Sequence, residues 1–173
     1  AGLQNPVEGN YKGYVRTSKE PILMESTLYL ITNAVDITSV IVTPPSTSVE
    51  AKHDITMNIG QALTKDIDEI TVTFPSGTTV PTNITPGSIT INGTPLTFAP
   101  KVTGTSVTMK VPANLTASPP PVQIVFLISA KIKNPTTAGI YNLQIKTSTQ
   151  PYYRVSPSYA IGTAVSTVKV TPV

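Results

Sequence analysis

At 173 residues, with a net charge of +3, only 12% charged residues and no cysteine, the chain is long enough for one sandwich-sized core plus a remainder, and it can hold neither disulfides nor thiolate metal sites. Its Lys and Arg form no run and are not interleaved with aromatics, which argues against nucleic-acid binding, and no apolar stretch reaches membrane-spanning length, which argues against membrane insertion. Thr, Val, Ile, Ser and Pro carry the composition, a mixture that favours strands and turns over helices.

In chain order, a hairpin-like strand is expected at 11–17, followed by alternating apolar and polar runs at 35–43, 54–59, 69–74, 88–91, 106–111, 122–132 and 139–147. Segment 60–68, where Ile59, Leu63 and Ile67 recur every fourth residue, is the best helical candidate and is short enough for a single turn or a loop. Turn chemistry separates the runs: Phe74-Pro75-Ser76-Gly77, Asn92-Gly93-Thr94-Pro95, Val102-Thr103-Gly104-Thr105 and three prolines at 119–121. Asn92-Gly93 is the sharpest, because both residues tolerate the positive φ of a two-residue hairpin turn. Run 122–132 is apolar on both faces over its centre and belongs in the middle of a sheet. Seven short strands at this spacing predict an all-β antiparallel sandwich.

An internal repeat organises the chain. Tyr11 and Tyr141 stand 130 residues apart, and the same offset brings Thr17-Ser18 onto Thr147-Ser148, Pro21 onto Pro151, Ser26 onto Ser156, Tyr29 onto Tyr159, Ile31 onto Ile161 and Ala34-Val35 onto Ala164-Val165. The expected division is therefore a whole module at 44–173 and, at 1–43, a second copy of a module's last part, running as an extended N-terminal β segment. Either that segment adds a strand to another copy, or the chain is a fragment of a longer tandem array. Tyr11, Leu23, Leu28, Tyr29, Leu30, Ile31, Ile37 and Val40, with Tyr152, Tyr153 and Tyr159, are the expected inter-subunit contacts, because extended apolar positions need a partner surface and Tyr suits one. The strand at 165–173 is a further candidate for reaching the neighbour.

The motifs Asp68-Glu-Ile-Thr-Val-Thr-Phe-Pro75, Ile89-Thr-Ile-Asn-Gly93, Ser106-Val-Thr-Met-Lys-Val-Pro112 and Ile132-Lys-Asn-Pro-Thr-Thr-Ala-Gly139-Ile-Tyr141, taken in order, resemble the tandem Ig-like modules of surface-layer and other cell-surface proteins of Gram-positive bacteria. The resemblance implies an Ig-like antiparallel β-sandwich, an extracellular or cell-surface location and a scaffold role without a reaction. Some modules of that kind crosslink a Lys to an Asn; Lys52, Lys146, Lys169, Asn58 and Asn134 are available in type, but no spacing singles out a trio.

Catalytic chemistry has little to stand on. His53 is the sole histidine, no nucleophile elbow accompanies it, and a solvent-facing strand position is expected for it, so no enzyme activity is expected. Asp66, Asp68 and Glu69 are the candidate oxygen ligands for Ca²⁺, with a solvated turn as the alternative; three carboxylates within the four residues 66–69 do not build the cage of six to eight oxygens that ion takes. No other cofactor is expected. Asn83 and Asn114 head glycosylation-type triplets. The expected function is a structural subunit of an extracellular filament or surface layer, assembling head to tail as a homopolymer by strand donation. The alternative is an adhesin or carbohydrate-binding module of a larger tandem-repeat surface protein, with cell-wall or surface glycans as partners and Tyr152, Tyr153 and Tyr159 with Arg154 as a stacking patch.

Overall fold

The computed structural model describes residues 9–31 and 35–163, the side chains of 9, 10 and 29–31 excepted. The expected contacts of Tyr29, Leu30 and Ile31 through their side chains, and the strand at 165–173, lie outside the described residues. The chain divides into two compact units between Ala34 and Val35.

The first unit is an antiparallel hairpin in two steps. Strands β1 (Gly9–Tyr11) and β4 (Tyr29–Ile31) pair with Gly9 opposite Ile31, and β2 (Tyr14–Val15) pairs with β3 (Met24–Glu25) with Val15 opposite Met24. Gly13 and Ser26 join the two steps: the Ser26 N–H donates to the Gly13 carbonyl at 2.8 Å, and the Gly13 N–H donates to Ser26 Oγ at 2.8 Å. At the tip, the Glu20 N–H donates to Thr17 Oγ1 at 2.9 Å.

The second unit holds two five-stranded antiparallel sheets. One runs β5 (Asp36–Thr43), β6 (Lys52–Asn58), β12 (Val122–Phe126), β8 (Ile89–Ile91), β9 (Thr94–Pro95). The other runs β10 (Lys101–Thr103), β11 (Ser106–Lys110), β7 (Glu69–Thr73), β14 (Gln144–Thr147), β15 (Arg154–Val155). A short ladder of β13 (Gly139–Tyr141) and β16 (Tyr159–Ile161) completes it. Period-two alternation puts His53, Ile55 and Met57 of β6, Ile70 and Val72 of β7, Val107 and Met109 of β11 and Ile145 of β14 into the core, with Ile124 and Phe126 of β12 among them. The fold is an all-β antiparallel sandwich, as the strand pattern predicts.

Several details differ from expectation. Residues 35–43 belong to the sandwich: β5 pairs with β6 from Asp36 to Thr43, Val35, Ile37 and Val42 are buried, and the unit boundary falls nine residues before the expected one. Ile37 is thus a core residue and Val40 packs against the core, because one face of β5 must cover the sheet's interior. Segment 60–68 forms turns and a bridge from Leu63 to Leu115, not a helix. The 122–132 strand stops at Phe126 and passes into a 3-10 turn at Ile128–Ala130, although its central place between β6 and β8 is as expected. Asn92 and Gly93 take φ of 50° and 77° and close the β8–β9 turn.

Candidate functional site: the repeated hairpin

The 130-residue offset is a structural identity as well as a sequence one. Gly139 stands opposite Ile161 and Tyr141 opposite Tyr159, as Gly9 does opposite Ile31 and Tyr11 opposite Tyr29. Gln144 opposite Val155 and Ile145 opposite Arg154 repeat Tyr14 opposite Glu25 and Val15 opposite Met24. The joint repeats too: the Ser156 N–H donates to the Leu143 carbonyl at 2.9 Å, and the Leu143 N–H donates to Ser156 Oγ at 3.0 Å. So does the tip, where the Gln150 N–H donates to Thr147 Oγ1 at 3.0 Å.

What distinguishes the copies is what covers them. In the second, β14 pairs with β7, Gln144 to Thr73 through Thr147 to Ile70, and Leu143, Ile145 and Ile161 are buried in the sandwich. In the first, β2 and β3 form a two-stranded sheet, and Val15, the counterpart of the fully buried Ile145, is 67% exposed. Tyr14, Ile22, Leu23, Met24 and Leu28 are exposed as well. Leu23 and Leu28 are therefore accessible for the contact expected of them, and Tyr11 is half-buried. Tyr14, Val15, Ile22 and Met24 were missed by the sequence analysis; the offset itself could have found Val15, since it falls on Ile145.

No family model matches this chain, and no curated protein does. Among solved structures, the crystal structure of BslA, a bacterial hydrophobin, is similar at a TM-score of 0.48 and 15% identity, covering 74% of this chain and 98% of that one. A likeness of that size carries nothing into the functional reading.

The remaining candidates scatter. His53 is 1% exposed, contrary to the expected solvent-facing position, because the phase of β6 turns it inward with Ile55 and Met57. Its ring meets Phe74 edge-on at 5.1 Å, and Phe74 meets Phe126 in the same manner at 5.2 Å. Nδ1 lies 3.2 Å from the Ala51 carbonyl. Burial pulls its pKa down to about 4, against smaller opposing effects from Ala51 and Asn134. Asp68 works in a turn: Oδ2 accepts from the Thr64 N–H at 2.7 Å and Oδ1 from the Ser148 hydroxyl at 2.7 Å, which together hold its pKa down. Among the described residues no three acidic or imidazole side chains are grouped as metal ligands.

Asn83 and Asn114 are both exposed, but Asn114 Oδ1 already accepts from the Lys65 N–H at 2.8 Å. Asn134 is buried, its amide donating to the Pro44 and Ser46 carbonyls, while Lys52 pairs with Asp54. Tyr159 is buried beside Tyr141, which corrects its assignment to a subunit contact, and burial raises its pKa. Tyr152 and Tyr153 remain exposed.

Proposed function

We propose that this protein is a structural subunit of an extracellular bacterial filament or surface layer, joined head to tail by the 9–31 hairpin docking on the sandwich of another copy. The observation that carries the reading is the pair of hairpins with one register and one set of joint hydrogen bonds, of which the second is built into the sandwich of its own unit while the first leaves Tyr14, Val15, Ile22, Leu23 and Met24 exposed. A hairpin of this size is marginal by itself, and each apolar side chain it buries on a partner gains roughly 1.5–3 kcal/mol. The position beside β7 is occupied by β11 and β14, so a donated hairpin seats on an outer sheet edge. Exchange with 139–161 is opposed, because it would put Gly13 and Val15 where Leu143 and Ile145 fill the core. A non-closing contact of this kind builds an open chain.

Removal of residues 1–34 tests the reading, since the second unit has its own core. The truncated protein is expected to remain folded by circular dichroism and to sediment as a monomer, while the full chain forms filaments or sheets in negative-stain micrographs. Continued assembly of the truncated protein would sink the reading.

A second reading rests on the same Gly13 and Val15 difference: the hairpin is shaped for a module other than this one, as in a tandem-repeat surface adhesin. A synthetic 9–31 peptide separates the two. Binding to the truncated protein favours self-assembly, and absence of binding favours a different acceptor.

A further inference from the structure

The outer face of the second sheet has an order that the assembly reading leaves unused. Lys101 stands opposite Thr108, Thr108 opposite Thr71, and Thr71 opposite Lys146, so these four residues form one straight row across β10, β11, β7 and β14. Three strand spacings of about 4.8 Å put the two lysines roughly 14 Å apart along it. A parallel row of Thr103, Ser106, Thr73 and Gln144 lies beside it. Both rows are polar throughout, on a sheet whose other face is apolar.

The first row, with Thr103 of the second, floors an open depression of about 420 Å³, to whose lining Glu69, Thr147, Ser148 and Pro151 also contribute. Thr71 Oγ1 and Thr108 Oγ1 lie 3.0 Å apart, and Thr73 Oγ1 and Ser106 Oγ 2.8 Å apart. Each such pair holds its rotamers while keeping lone pairs and a hydroxyl hydrogen for a third group. Lys146, which lines the depression, holds its Nζ 4.7 Å from the centre of the Tyr153 ring, so a half-exposed aromatic ring lies next to that lysine, and Tyr152 beside it in the chain is 82% exposed. Neither Lys101 nor Lys146 is in an ion pair among the described residues.

We propose that this face binds an anionic polysaccharide. Pre-ordered hydroxyl pairs suit the hydroxyls of a sugar chain, Tyr153 offers an apolar face to sugar C–H groups, and the two lysines receive acidic groups at opposite ends of the row. The depression is open to solvent and not enclosed, as a polymer requires. Carboxylate and phosphate satisfy the lysines equally, so the shared chemistry is a hydroxylated chain with recurring negative charge. The site lies wholly within the second unit and does not depend on how copies join.

Affinity electrophoresis of the full chain tests this, with polygalacturonate, a glycerol-phosphate teichoic acid or neutral dextran cast in the gel. Retardation is expected in at least one anionic polymer, the responding polymer naming the acidic group, and none in dextran. The K101Q/K146Q pair is expected to weaken that retardation at least tenfold and Tyr153→Ser about threefold. K131Q/K133Q removes the same charge from exposed positions elsewhere and is expected to leave it unchanged. Absence of retardation in both anionic polymers, equal retardation in dextran, or equal losses from the two lysine pairs would overturn the proposal.

Discussion

Ile145 and Val15 occupy the same register position in two copies of one hairpin, and a single truncation at each measures what lies beneath them. Ile145 is fully buried among the core residues of the sandwich, so Ile145→Ala loses the transfer free energy of its removed methyl and methylene groups and leaves a cavity that the flanking strands close only in part. The expected cost is about 3 kcal/mol, within the roughly 2–5 kcal/mol range for such truncations. For a unit of this size, that lowers the melting temperature by about 10 °C. Val15→Ala removes an exposed side chain and is expected to cost under about 0.5 kcal/mol in the monomer. Urea unfolding followed by far-ultraviolet circular dichroism, at a concentration where the chain is monomeric, measures both. Equal costs at the two sites would refute the reasoning, because they would mean that the first hairpin is covered in the monomer as the second is.

His53 is buried neutral with its pKa lowered to about 4, so between that value and the ordinary value near 6.5 the unfolded chain binds more protons and stability falls as pH falls. The contribution amounts to about 3 kcal/mol across that window, to be read as the difference in urea-unfolding pH profiles between the parent and His53→Phe; parallel profiles would refute it. Gly93→Ala is expected to cost about 1–2 kcal/mol, since φ of +77° disfavours a Cβ although nothing within 4 Å blocks one, and thermal unfolding checks it. Phe74→Ala removes the ring that His53 and Phe126 both pack against and is expected to cost about 3–5 kcal/mol by chemical denaturation.

Strand placement and the repeat were legible because they are local. Period-two alternation, Asn92-Gly93 and the 130-residue offset are written in residue types, and the backbone answers to them one segment at a time. What lay between segments was not legible. His53 was within reach of the same local rule, since it shares the period-two phase of Ile55 and Met57, but its polarity argued for solvent and one polar side chain does not set the phase of a strand whose other inward residues are apolar. The break of 139–147 at Asn142 and Leu143 coincides with hydrogen bonds to Ser156, which lies between β15 and β16, and is not written in the run's own pattern. The unit boundary moved because residues 35–43 had a sheet to complete.

By itself, then, the sequence determined an all-β chain containing two copies of one hairpin. Tertiary structure decided that, among the described residues, Ile145 of one copy is core and Val15 of the other is exposed, and that Lys101 and Lys146, 45 residues apart in the chain, end the same polar row. Both facts depend on which strands become neighbours across long loops, a choice made by the packing of the whole sandwich and carried by no short stretch of residues.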